Sequence, residues 1–172
     1  MDALVIYESM FGDNEQVARA VAEGLSSAGV VADAVEVGHA PTDIRDVDLL
    51  VVGAPNHAWS LPRAATRADA ATKTDAPVIS DRIGVREWLE AASLPAGVMT
   101  AAYDTRGSRP KSVVAFDHAS SSIEKGLKGL GGRRLAKAEN FRVVDMKGPL
   151  EPGEIERARE WGGALARQLT AG

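Results

Sequence analysis

Short apolar runs, each followed by a helical pattern, constrain the fold of this chain more than any other feature. Residues 3–7 (Ala-Leu-Val-Ile-Tyr) and 47–53 (Val-Asp-Leu-Leu-Val-Val-Gly) have almost no polar interruption. A strand with one face in water alternates apolar and polar residues, whereas a strand covered on both faces is apolar almost throughout. The two runs therefore predict parallel strands inside a sheet that helices cover on both sides.

Helical patterns separate these runs from further strands. Val17, Val21 and Leu25 recur at the spacing of one helix face and predict a helix over residues 14–28. Further strands are predicted over residues 30–37, 97–102 and a split segment at 134–138 and 141–144, with further helices over 63–72, 85–92, 118–130 and 155–169. Since right-handed crossovers place helices on both faces, we expect a doubly wound three-layer α/β sandwich with a five-stranded parallel sheet in the order 2-1-3-4-5.

Length and composition are typical of one globular domain. The chain has 172 residues, of which 45% are apolar and 26% charged, so we expect a single domain over residues 1–172. The absence of cysteine excludes disulfides, a thiolate nucleophile and Cys-ligated metals. The N-terminus has no signal-peptide pattern, and no apolar run reaches the ~20 residues of a membrane helix. We therefore expect a cytoplasmic protein without membrane insertion.

Charge and residue spacing exclude several classes of function. The net charge of −4 argues against a nucleic-acid partner, since nucleic-acid-binding domains are usually strongly basic. His39, His57 and His118 lack the spacing of metal ligands, so we expect no metal site. No Ser/His/acid spacing indicates a catalytic residue.

The predicted strand order reverses between the first and third strands, where folds of this architecture bind ligands. Three predicted loops meet there, at residues 8–14, 54–67 and 103–111. In the first loop, Ser9 and Gly12 precede a helix N-terminus, whose free N–H groups and positive dipole end favour an anion such as phosphate. An ordinary strand-to-helix turn capped by Asp13 or Asn14 explains this pattern equally well.

Aromatic residues are scarce, and three of the eight fall in these loops. Phe11, Trp59 and Tyr103 contribute one ring to each loop. A planar ligand can stack on such rings, and the alternative for Trp59 is packing over a satellite apolar cluster. A phosphate cradle beside aromatic walls describes a site for flavin mononucleotide (FMN).

The same loops resemble those of the flavodoxin family. Tyr7-Glu8-Ser9-Met10-Phe11-Gly12 looks like the phosphate loop of the family, residues 53–59 (Gly-Ala-Pro-Asn-His-Ala-Trp) look like its first ring-binding loop, and residues 103–106 are similar to its second. The resemblance covers essentially the whole chain and implies noncovalently bound FMN. It places the phosphate among Ser9, Met10, Phe11, Gly12, Asp13 and Asn14, and the isoalloxazine ring among Pro55, Asn56, His57, Ala58, Trp59, Tyr103, Asp104, Thr105 and Arg106.

Three positions bear on how the phosphate and ring bind. Asn14 and Asn56 stand where the family usually has threonines. An amide NH₂ can still donate to an oxyanion, but with a geometry unlike that of a hydroxyl. Asp13 adds a carboxylate, which repels a phosphate if it points inward and does little harm if it faces solvent.

Three functions are compatible with these residues. We favour an FMN-binding electron carrier that acts with a redox partner protein. The second is an FMN-dependent NAD(P)H:quinone-type reductase with a small-molecule acceptor, for which a basic rim is expected at His57, Arg63, Arg67, Arg106 and Arg109. The third is a flavodoxin-fold protein that has lost tight FMN binding, which the residues at positions 13, 14 and 56 would explain.

Overall fold

The computed structural model of the protein describes residues 1–56, 60–107 and 119–172, and a parallel sheet forms its centre. The strands are β1 (Asp2–Tyr7), β2 (Val31–Glu36), β3 (Leu49–Pro55), β4 (Met99–Gly107), β5 (Arg133–Arg134) and β6 (Glu139–Val143). Their order is β2-β1-β3-β4-β5, and β6 also pairs with β4. The predicted order and the split last strand are confirmed, because β5 and β6 pair with successive parts of β4.

Helices cover both faces of the sheet. Those in the described parts of the chain are α1 (Asp13–Ser27), α2 (Ala64–Ala71), α3 (Val85–Ala91), α4 (Ala119–Gly129) and α5 (Glu154–Ala171). Val5 of β1 belongs to the apolar cluster shared with α1 and α5, whereas the next residue, Ile6, belongs to the cluster shared with α3 and α4. Both faces of β1 are therefore buried, and the three-layer sandwich is confirmed.

The helices α1 and α5 cross at two glycines. A Cβ atom at Gly24 would lie 2.0 Å from the carbonyl oxygen of Arg159, and one at Gly162 would lie 2.3 Å from that of Val21. These neighbours are backbone atoms, which cannot turn aside as a flexible side chain can. The close approach of the two helices therefore requires glycine at both positions.

The strand β4 extends well beyond its predicted end at residue 102. It pairs with β3 as far as Thr105 and with β6 as far as Gly107. Tyr103 therefore lies within the sheet, fully buried, and its ring packs edge-on against Phe141 at a centroid distance of 5.8 Å. The ring also covers Gly53, where a Cβ atom would lie 2.0 Å from the Tyr103 Cζ atom.

We expect Gly162→Ala to lower the free energy of unfolding by about 1–3 kcal/mol, because its methyl group would overlap the Val21 carbonyl. Urea denaturation followed by far-UV circular dichroism measures the change. The adjacent Gly163→Ala is the control, since its Cβ atom would come no closer than 3.4 Å to the end of the Arg167 side chain. That control should be neutral or more stable by up to about 1 kcal/mol. Equal effects of the two substitutions would contradict the close helix contact.

Candidate functional site

A cavity of about 500 Å³ lies beyond the carboxyl ends of β1, β3 and β4. Its walls come from the β1–α1 loop, the end of β3, α2 with the residues just after it, the end of β4 and the segment after β6. The lining residues are Ser9, Met10, Phe11, Asp13, Asn14, Pro55, Asn56, Thr66, Asp69, Ala70, Lys73, Thr105, Arg106, Gly107, Val143, Val144, Asp145 and Met146. The cavity lies where the strand order reverses, as the topology predicts.

The β1–α1 loop is held in place by a neighbouring segment of the chain. The Ser9 N–H donates to Ser80 Oγ at 3.0 Å, and the Ser80 N–H donates to the Ser9 carbonyl at 2.8 Å. The Ser80 hydroxyl in turn donates to Glu36 Oε1 at 2.6 Å. One residue further on, the Ile79 N–H donates to the Met10 carbonyl at 3.2 Å. These bonds give the loop a defined shape without a ligand.

The loop ends in a helix start that presents free N–H groups. Gly12 is the N-cap residue of α1, with a left-handed φ of 103°, and its N–H donates to Ser9 Oγ at 3.1 Å. The first helical hydrogen bond runs from the Gln16 N–H to the Gly12 carbonyl. The first three residues of α1 therefore have no acceptor within the helix for their N–H groups. The N-cap residue Gly12 has no side chain that could cap the helix, and Asn14 Oδ1 has no partner among the described residues. The Asp13 carboxylate accepts a hydrogen bond from its own backbone N–H, so the alternative of a turn capped by Asp13 stays open.

One of the two polar atoms of the Asn14 side chain has a hydrogen-bond partner, and the other has none among the described residues. Its Nδ2 group donates to the Glu8 carbonyl at 2.7 Å, whereas its Oδ1 atom has no partner among the described residues. A flipped amide would set two oxygens against each other, so this contact fixes the orientation. Only 1% of the Asn14 residue is exposed, and its carbonyl accepts a hydrogen bond from the Tyr103 hydroxyl at 3.2 Å.

Asp13 points toward the segment between β6 and α5. A Cβ atom at Gly148, which has a φ of +88°, would lie 2.5 Å from each Asp13 carboxylate oxygen. Burial raises the pKa of Asp13, and the backbone N–H groups of Leu150 and of Asp13 itself, which donate to the carboxylate, oppose that rise. The Asp13 side chain is therefore half-buried and hydrogen-bonded, and it lies on the cavity wall.

On the opposite wall, Asn56 likewise has one polar group that is hydrogen-bonded and one that has no partner among the described residues. Its N–H donates to the Thr105 carbonyl at 2.9 Å, which extends the β3–β4 ladder by one bond. Its Oδ1 atom is buried without a partner in the described parts of the chain. Both asparagines of the wall thus hold a buried acceptor oxygen that has no partner among the described residues.

The cationic side chains on the cavity wall already face carboxylates. Lys73 pairs with Asp69 at 2.6 Å, and Arg106 forms a buried pair with Asp104 through its Nε atom at 2.7 Å. The Lys73 Nζ atom also lies 3.6 Å from Met146 Sδ, so α2 and the segment after β6 meet at the edge of the cavity. The positive charges of Lys73 and Arg106 are therefore largely neutralised within the protein.

Nine of the fifteen predicted cofactor residues line the cavity, and their roles toward a ligand stay predictions. They are Ser9, Met10, Phe11, Asp13, Asn14, Pro55, Asn56, Thr105 and Arg106. Gly12 positions the helix start. The expectation that Tyr103 and Asp104 lie in a loop against the flavin ring is wrong, because both are fully buried in β4. His57, Ala58 and Trp59 lie outside the described residues.

Two parts of the wall were missed by sequence reasoning. Asp69, Ala70 and Lys73 come from the end of α2 and the residues just after it, and residues 143–146 form the end of β6 and the segment that follows it. Residues 143–146 could have been predicted from the sequence, because the residues that follow any parallel strand emerge at the same edge of the sheet. The residues of α2 could not have been predicted to lie at the site, since the orientation of a helix within a long connection depends on tertiary contacts.

A buried group of charged side chains behind the cavity holds α2 in place. Arg67 of α2 lies 2.8 Å from Glu87 and 3.6 Å from the fully buried Glu8, whose Oε2 atom accepts a hydrogen bond from the Val85 N–H at 2.8 Å. Burial is the main cause that raises the pKa of Glu8 from 4.5 to about 7. Arg67 is therefore an internal anchor, and the expectation that it contributes to a basic rim is wrong.

Two kinds of feature are absent from the part of the chain that the structure describes. It contains no group of three or more His, Asp or Glu side chains placed to hold a metal ion. None of the helices in the same residues is long and apolar enough to cross a membrane.

Comparison with known proteins gives one family and many similar folds. The model of the flavodoxin family matches residues 5–163. Oxidised flavodoxin 1 from Bacillus cereus superposes with a TM-score of 0.68 at 14% identity, covering 97% of this chain and 98% of that chain. The flavodoxin of Streptococcus pneumonia TIGR4 gives 0.64 at 18% identity over 99% of both chains. The WrbA-like flavodoxin from Agrobacterium tumefaciens gives 0.61 at 16% identity, over 99% and 98%. No curated protein matches the chain.

The raised pKa of Glu8 predicts how stability depends on pH. Between about pH 4.5 and 7 the folded state holds a proton that the unfolded state has released, so this group lowers the free energy of unfolding as pH rises. The loss approaches about 3 kcal/mol by pH 7, because each tenfold difference in proton affinity between the two states corresponds to about 1.4 kcal/mol. Glu8→Gln should remove this part of the pH dependence, measured by urea denaturation from pH 4.5 to 7.5.

Glu90→Gln, an exposed substitution on α3, is the matched control and should follow the wild-type curve. If the stability difference between wild type and Glu8→Gln stays constant over this range, Glu8 does not titrate there.

Proposed function

Because the chain belongs to the flavodoxin family, whose members bind FMN and transfer electrons, we propose that it is a noncovalent FMN-binding electron carrier. It acts as one domain over residues 1–172 and exchanges electrons with a redox partner protein. The chemistry supplied by bound FMN is the uptake and release of electrons at its ring, while the protein provides binding and tuning of that ring.

The observation that carries the proposal is the preorganised β1–α1 loop. Ser9 is held by two hydrogen bonds to Ser80, and the first N–H groups of α1 have no acceptor within the helix. A phosphate at this position would receive those N–H groups together with the positive end of the helix dipole. The Ser9 hydroxyl can donate as well, because its oxygen only accepts from Gly12. The loop therefore fits the phosphate of FMN.

The remaining walls suit the rest of the cofactor. Pro55, Asn56 and Thr105 border the cavity at the ends of β3 and β4. The resemblance to family loops assigns residues 55–59 to the ring, and Trp59 remains the residue predicted to stack on it. Since Tyr103 is in the core, the proposed second ring contact moves to the end of β4, at Thr105 and Arg106.

A carrier is better supported than a self-sufficient reductase. The reductase hypothesis needs cations that receive an anionic substrate or a nicotinamide phosphate. Arg67 is buried against Glu8 and Glu87, and Arg106 is buried against Asp104. Of the other residues expected on a basic rim, Arg63 is not among the cavity-lining residues, and His57 and Arg109 lie outside the described residues.

Ser9→Ala should weaken FMN binding by roughly ten- to a hundredfold, since a hydrogen bond to a charged group contributes about 1.5–3 kcal/mol. Riboflavin, which lacks the phosphate, should lose much less affinity. Quenching of flavin fluorescence gives both dissociation constants. Ser27→Ala, at the exposed end of α1, is the control. Equal affinity of wild type and Ser9→Ala for FMN would place the phosphate elsewhere.

Stopped-flow reduction separates the carrier from the reductase. The FMN-loaded protein mixed with NADH or NADPH under anaerobic conditions should keep its oxidised flavin absorbance over the time of a catalytic turnover. Adding a flavodoxin reductase, as the electron donor, should then bleach that absorbance. Rapid bleaching by the nicotinamide nucleotide alone would identify a reductase and overturn the carrier.

A further inference from the structure

The helix α2 is held beside the cavity by very little apolar packing. Within residues 63–79, all of which the structure describes, only Arg67 and Ala70 are buried. The alanine buries a single methyl group, which contributes little of the free energy that usually fixes a helix in place. Segments with few buried apolar contacts open at a small fraction of the cost of global unfolding. The position of α2 therefore depends mainly on how Arg67 is bound.

Both ends of this segment are anchored to the core. Before it, Leu61 is buried in the apolar cluster of α3 and α4, and its carbonyl accepts a hydrogen bond from Arg86 at 3.0 Å. After it, Ser80 is fully buried and exchanges two hydrogen bonds with Ser9. Residues 63–78 can therefore move as a unit between two fixed ends, and they are termed the lid.

The lid forms one wall of the cavity. One face of its helix lines the cavity through Thr66, Asp69, Ala70 and Lys73. At the cavity edge, Lys73 Nζ lies 3.6 Å from Sδ of Met146, in the segment after β6. Movement of the lid away from that segment therefore widens the cavity at this edge.

Arg67 ties the lid to the side chains behind the cavity. Its Nη2 atom donates to Glu87 Oε1 at 2.8 Å, and its Nη1 atom lies 3.6 Å from Glu8 Oε1. Arg67 Nη1 and Glu8 Oε1 are both buried and have no hydrogen-bond partner among the described residues. The two charges thus attract each other without a short hydrogen bond between them, and such a contact is weaker than a closed ion pair.

We propose that residues 63–78 are a lid over the FMN cavity, latched by Arg67 between Glu8 and Glu87, which must open for FMN to enter or leave. The inference rests on the proposed FMN binding. It gives Arg67 a positioning role, because Arg67 acts through α2 and does not itself line the cavity. Glu8 directly precedes Ser9, so the latch joins the movable wall to the loop proposed to hold the phosphate.

Glu8 makes the latch sensitive to pH. Arg67 on α2 and Glu87 on α3 are the charged groups that face its carboxyl group in the described part of the chain, and burial raises its pKa to about 7. When the lid is open, water reaches this carboxyl group and its pKa returns toward the ordinary 4.5. The closed lid therefore binds the proton more tightly. Raising the pH from 5.5 to 7.5 should favour opening by up to roughly twentyfold.

Hydrogen exchange and FMN binding kinetics of Arg67→Met test the lid. In the FMN-free protein at pH 7, the amides of α2 should exchange roughly ten- to a hundredfold faster than in wild type, because a buried ion pair has lost one partner. The amides of α1 should exchange as in wild type. Stopped-flow fluorescence should show the association and dissociation rate constants of FMN rising by a similar factor, so that the dissociation constant changes much less. Loss of an ordinary wall contact would raise the dissociation rate constant alone.

Two further substitutions at arginine calibrate this result. Arg67→Lys keeps the positive charge and should lie between wild type and Arg67→Met. Arg167→Met, an exposed substitution on α5, is the matched control and should behave as wild type.

Glu8→Gln tests the latch even if neither Arg67 variant folds. The ratio of the FMN dissociation rate constant in wild type to that in Glu8→Gln should rise up to roughly twentyfold from pH 5.5 to 7.5. The ratio cancels the titration of the FMN phosphate itself, which has a pKa of about 6.

Two outcomes separate this inference from the function on which it rests. If FMN binds, but the ratio stays constant and the α2 amides of wild type are as protected as those of α1, the lid is overturned and the proposed function stands. Failure of the wild-type protein to bind FMN overturns the proposed function, and the passage of FMN under the lid with it.

Discussion

The parallel pairing of β1 with β3 sets the position of the candidate site. Tyr7 pairs with Gly53, and the Glu8 N–H continues the ladder to the Gly53 carbonyl at 2.9 Å. Because both strands end at this edge and their connections leave in opposite directions, the β1–α1 loop and the segment after β3 open a gap between them. The cavity is thus a product of topology, and its chemistry is set by the residues at the two strand ends.

Those residues contribute few uncommitted positive charges to the cavity. Lys73 and Arg106 are paired with carboxylates, and Asp13 adds a further carboxylate to the wall. Donors come mainly from the backbone, at the start of α1. Anion binding at such a site would depend on the geometry of fixed N–H groups rather than on net positive charge.

Sequence periodicity predicted the sheet, its order and most helices, because burial on both faces leaves a direct apolar pattern in β1 and β3. It misplaced Tyr103, since the end of β4 depends on pairing with β6, a contact that no local pattern encodes. Similarly, the residue types predicted the phosphate loop, but not that Asn14 would donate to Glu8. Local sequence determines which groups are present at a strand end, and tertiary contacts determine which of their hydrogen bonds are already used.

The glycine crossing of α1 and α5 also has a consequence for how the chain folds. It brings Glu23 against Arg159, 136 positions further along the chain. Contacts between such distant segments form slowly, because a long loop must close first. During synthesis, α5 follows all other described elements, so the side of α1 that packs on α5 stays uncovered until α5 has been made. That side of α1 is therefore among the last surfaces of the described chain to be buried.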